Sequence, residues 1–135
     1  MSYYYEIDGP LPKKLSEDLL DKAFLFACEY LDLVNLEIVL SFEKLEDHQM
    51  GLTSFDEEEP ISITIDKKLK PADMIRVLFH EMVHVKQYIE GHLEEGFNLK
   101  WMGEEWDGAY EDAPWEVEAF DLEEEMVTKW LLESN

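Results

Sequence analysis

Apolar residues recur along this chain with two different periods, and the change from one to the other predicts its elements. Leu15, Leu19, Ala23, Phe26, Ala27 and Tyr30 return every three or four positions, which predicts a helix from about Leu15 to Leu31, starting near Lys14 or Ser16. Leu36–Phe42 alternates on a mostly apolar run and reads as a strand. Gly51–Phe55 is a weaker strand pattern. Ile61, Ile63 and Ile65 alternate strictly with Ser62 and Thr64 and give the clearest strand of the three. Tyr3–Ile7, ahead of the Asp8-Gly9-Pro10 turn, reads as a short strand or an ordered arm.

Helical spacing returns between Pro71 and Glu90. Proline suits the first turn, Asp73 complements the positive end of the helix dipole, and Gly91 is a natural stop. Ile75, Leu78, Met82, Val85 and Ile89 gather on one side, as a core-facing surface. Glycines and aromatics fill residues 91–113, predicting a small hairpin or ordered loop. A last helix runs from Ala113 or Pro114 to about Leu132, with Asp112 as a candidate cap. All of this fits one α+β domain over residues 1–135.

The front of the central helix carries His80-Glu81-Met82-Val83-His84. Histidines four apart stand about 40° apart around a helix axis, so both imidazoles reach one metal ion. Glu81 then faces the open side of that ion, where a water sits. This is a zinc hydrolase arrangement, and it needs a third protein ligand. His92 follows His84 by eight residues, beyond Gly91, and His48 sits far upstream in a loop, so both read as loop histidines. The last helix offers carboxylates instead. On its wheel Trp115, Ala119, Leu122 and Met126 start an apolar arc that Val127, Phe120 and Leu131 extend; Glu116 falls in the middle of it, and Glu118 falls on the margin. A buried carboxylate without a partner is costly, and a metal is one such partner. Glu116 is therefore the expected ligand and Glu118 the alternative. Glu123 also turns inward, toward a supporting position.

Charge narrows the partners. Eleven basic against 33 acidic residues give a net charge of −22, which disfavours nucleic acid and anionic lipid. No stretch approaches the roughly 20 apolar residues of a membrane span. Cys28 is the single cysteine and is expected to pack in its helix. No secretory segment is apparent in the sequence, and a cytoplasmic location is the expectation.

In these motifs the chain resembles the gluzincin metallopeptidases, in particular their small minimal-domain members from bacteria and their viruses. The matching residues are His80-Glu81-Met82-Val83-His84 with Val85-Lys86-Gln87, and Pro114-Trp115-Glu116-Val117-Glu118-Ala119. The resemblance implies a zincin-like fold: an N-terminal helix, a small sheet of about three mostly antiparallel strands, the active-site helix and a C-terminal helix bearing the third ligand. It implies Zn2+ on His80, His84 and Glu116, Glu81 as general base, and a peptide or protein substrate. Strand Ile61–Ile65 is then a candidate edge for an extended peptide, and Tyr88 or Tyr110 a candidate oxyanion partner. One departure stands out. Several gluzincin families place Asp or Asn four residues after the ligand glutamate, where this chain has Phe120, so Glu118, Glu123 or a backbone carbonyl must steady the histidines. The acidity argues against the related proteases that act at DNA. The competing class is a non-catalytic binding or structural module on the same fold, with or without zinc.

Overall fold

The structure, a computed structural model, describes residues 3–46, 48–56, 59–94, 100–105, 108 and 112–133. It is α+β, with strand β1 (Tyr3–Ile7), helix α1 (Glu17–Tyr30), strands β2 (Leu36–Glu43), β3 (Gly51–Asp56) and β4 (Glu59–Asp66), and helix α2 (Pro71–Ile89). Three two-residue strands follow, β5 (Leu93–Glu94), β6 (Lys100–Trp101) and β7 (Glu104–Glu105), and then helix α3 (Pro114–Glu133).

Ser16 caps α1, its hydroxyl accepting from the Leu19 N–H at 3.2 Å. Leu20, Ala23, Phe24, Ala27 and Cys28 form the buried stripe, while Leu19, Phe26 and Tyr30 pack at its flank. The helix therefore sits about one position round from the face expected from its periodicity. Cys28 is fully buried, in its expected packing role, and burial followed by the charge of Glu29 pushes its thiol up to about 12.

The sheet corrects the expectation of about three mostly antiparallel strands. It has four strands in the order β1-β2-β4-β3; β1 with β2 and β2 with β4 are parallel, and only β3 with β4 is antiparallel. The reason lies in the connections: α1 carries the chain back between β1 and β2, whereas β3 turns directly into β4. The expectation of β4 as an open edge is also corrected, since Ile61–Ile65 lies between β2 and β3, and the edges are β1 and β3. Alternate residues Leu36, Ile38, Leu40 and Phe42 of β2 and Ile63 and Ile65 of β4 are buried in one core with α1, α2 and α3.

Helix α2 runs through that core and is buried almost all round. Ile75, Leu78, Met82 and Val85 are inside, as expected; Ile89, the last residue of the helix, is exposed. Its end is a complete Schellman closure: Gly91 takes φ +80°, its N–H donates to Tyr88 O at 3.0 Å, and the His92 N–H donates to Gln87 O at 3.0 Å. Just before α3 the Ala113 carbonyl accepts from the Glu116 and Val117 N–H groups at 3.0 Å each, so Ala113 rather than Asp112 holds the cap position. No helix among the described residues is long and apolar enough to cross a membrane.

Candidate metal centre

Two helices and one strand edge build the site. His80, Glu81 and His84 project from the middle of α2, where α3 and β3 cover them; their ligand atoms all lie within 4.8 Å of one another. They form a buried group that could hold a metal ion. From α3, the Glu116 carboxylate reaches the same place: Oε1 is 2.7 Å from His84 Nε2 and Oε2 is 3.5 Å from His80 Nε2. Glu116 is 3% exposed, so the inward turn read from its helical wheel is realised. Glu118 does not join this group. It is half-buried, and its Oε1 accepts from the Gln87 amide at 3.1 Å.

The other nitrogen of each imidazole is also held. His80 Nδ1 lies 3.0 Å from Glu123 Oε1, and the opposite oxygen of Glu123 accepts from Arg76 at 2.7 Å; Arg76 is further tied to Glu124. His84 Nδ1 lies 2.8 Å from Gln87 Oε1. Gln87 is fully buried, and its amide N–H groups donate to Trp115 O at 2.9 Å and to Glu118. Those two partners only accept, so the amide nitrogen must face them and the carbonyl oxygen must face His84. His84 therefore carries a proton on Nδ1 and turns Nε2 inward. The Glu123 carboxylate, an acceptor, fixes His80 the same way. Gln87 stands in the sequence only as the last residue of the stretch that follows the histidine motif, with no role of its own. The signal available was a polar residue three positions after His84, on the same helix face as the two histidines.

Electrostatics follow from this packing. A nitrogen lone pair and a carboxylate oxygen 2.7 Å apart require a cation between them, either a proton or a metal. For His80, burial lowers the pKa, but hydrogen bonds to Glu116 and Glu123 and the charge of Glu81 outweigh it and raise the pKa to about 9. For Glu116, burial raises the pKa, and the two histidines more than reverse that, lowering it to about 2. Glu123 is lowered too; burial opposes the shift and His80 and Arg76 drive it. Two nitrogens and one carboxylate with fixed outer partners suit a small divalent cation with borderline ligand preferences.

Glu81 is 7% exposed and is gripped from the sheet: the Thr53 hydroxyl donates to its Oε1 at 2.7 Å. The Phe120 ring, half exposed, lies 4.6 Å from the His80 ring between centroids. Tyr88 stacks on Phe55 at 4.2 Å with rings 9° from parallel. Tyr110 and Trp106 lie outside the described residues. Neither His48 nor His92 joins the group; His48 is exposed in the loop before β3, and the left-handed Gly91 swings His92 off the helix onto Trp101, 5.9 Å between ring centroids. Comparison of the chain with family models, with curated proteins and with solved structures finds no match in any of the three.

Proposed function

We propose that this protein is a zinc-dependent metallopeptidase of the gluzincin type, with His80, His84 and Glu116 as metal ligands and Glu81 as general base. One observation carries the reading: both Nε2 atoms converge on one carboxylate while both Nδ1 atoms are held from behind. That is the arrangement expected of two neutral imidazoles presenting lone pairs to a shared cation.

Zinc bound there would acidify a water and polarise a peptide carbonyl. The chain's own residues do the rest. Glu81 takes the proton of the attacking water as the new C–O bond forms, then delivers it to the departing amine nitrogen as the C–N bond breaks. Glu123 and Gln87 keep the imidazoles in the required tautomer and orientation throughout. Glu123, seven residues after Glu116, performs the support that other gluzincin families draw from the position occupied here by Phe120. The open edge of β3, beside Glu81, is where an extended peptide would add as a further strand. The net charge of −22 favours substrates that are not strongly acidic.

Glu81→Gln tests the proposal. Zinc stays bound and cleavage of a mixed peptide library is lost if the reading is right. A wild-type protein that holds zinc and cleaves no library peptide would leave a non-catalytic metal-binding module in its place.

A further inference from the structure

We propose that Thr53 is a positioning residue for Glu81, and that β3 fixes where the general base stands relative to the sheet edge. The catalytic part of this inference rests on the peptidase reading above. Gly51 and Thr53 share one face of β3 because side chains alternate along a strand, and Phe55, at the register shift between Ser54 and Asp56, stacks on the same helix. Each meets a residue of one stripe of α2. A Cβ on Gly51 would lie 2.5 Å from Val77 Cγ1 and 3.1 Å from Glu81 Cγ, Thr53 bonds Glu81, and Phe55 stacks on Tyr88. On a helix, positions 77, 81 and 88 fall within about 40° of one another. The strand thus runs down one helix stripe, and the hydroxyl of Thr53 is the central contact between a close backbone approach and an aromatic stack.

Two consequences follow from the geometry. Among the described residues the tether to Glu81 falls on Oε1, which leaves Oε2 to take a proton with Thr53 still bound. The backbone of Thr53 also faces outward. Met50 O accepts from the Asp66 N–H at 2.9 Å, which makes that pair a hydrogen-bonded one. Alternation along the antiparallel ladder then turns the N–H and C=O of Thr53 to the open edge of the sheet. A peptide pairing with that edge and the carboxylate that acts on it would be registered through one residue. Oriented approach is worth large factors in rate, and misplacement by about 1 Å costs on the order of a hundredfold.

The test compares wild type, Thr53→Val and Thr53→Ser as zinc-loaded proteins on a library-selected peptide. Valine keeps the shape and strand preference and removes the hydroxyl. Thr53→Val should retain zinc and lose kcat by on the order of tenfold with KM changed far less, and Thr53→Ser should restore most of it. In the metal-free protein, Thr53→Val and Glu81→Ala should lower the melting temperature non-additively, because they break the same contact. Wild-type kcat in Thr53→Val, an equal loss in Thr53→Ser, or strict additivity in the cycle overturns the proposal. A wild-type protein that holds zinc but cleaves nothing overturns the peptidase reading and the catalytic role of Thr53 together, while the cycle still reads the contact itself.

Discussion

Replacing Gln87 with Leu removes a buried side chain that touches no metal in the proposed centre, yet it should loosen the grip on one. Leucine has nearly the volume of glutamine, so packing is little disturbed. Three hydrogen bonds are lost: 2.8 Å to His84 Nδ1, 2.9 Å to Trp115 O and 3.1 Å to Glu118. Each buried bond contributes about 0.5–1.5 kcal/mol net, and leaving the Nδ1–H without its acceptor adds a desolvation cost, so the metal-free fold should lose about 2–4 kcal/mol. Loss of the outer partner of a ligating histidine typically costs 10–100-fold in metal affinity. The assay is a zinc titration against a competing chelator, paired with thermal unfolding. Gln87→Glu separates the two effects. Its carboxylate still accepts from His84, so zinc binding is largely kept, but it cannot donate to Trp115 O and stands against Glu118, so stability falls. If Gln87→Leu binds zinc within twofold of wild type, Gln87 does not hold His84 in its metal-binding tautomer.

Gly51→Ala should destabilise the metal-free chain by about 1–3 kcal/mol in thermal melts, since its Cβ would stand 2.5 Å from Val77 Cγ1 and β3 would have to lift off α2. Stability without metal should also depend on pH in two windows. The raised pKa of His80 gives stability that is complete below 6.5 and lost as pH rises toward about 9; the lowered pKa of Glu116 gives stability complete above 4.5 and lost as pH falls toward about 2. Zinc replaces the proton, so the rise in melting temperature on adding zinc should be larger at pH 8.5 than at pH 6, and an equal rise would contradict this. Cys28 should react with a thiol reagent only after unfolding, because it is fully buried with its pKa raised to about 12. Rapid labelling of the native chain would show that α1 is not packed as described.

Much of this architecture could be read from periodicity, and the remainder shows what periodicity lacks. α2, β2 and β4 were legible because each repeats its apolar residues at one clean period, and Gly91 marked its stop by the positive φ it adopts. β3 was the weakest pattern and became the most informative strand. The residues it sets against α2 are Gly51, Thr53 and Phe55, a glycine, a hydroxyl and a ring, chosen for contact with that helix rather than for hydrophobicity. Which strand lies at the edge depends on pairing, and pairing is not written in a strand's own pattern. At the site, helical spacing brought out His80, His84 and Glu116, and the wheel also turned Glu123 inward. The Thr53–Glu81 contact spans 28 residues between different elements, and no local rule reaches it.

Zinc stoichiometry, measured by elemental analysis on protein purified without chelators, tests the central claim most directly when wild type and Glu116→Ala are compared. Wild type should carry close to one zinc per chain, and the variant should lose it while remaining folded by circular dichroism. A wild-type chain without zinc, or a Glu116→Ala chain that holds it equally well, would contradict a centre made of two imidazoles from α2 and one carboxylate from α3.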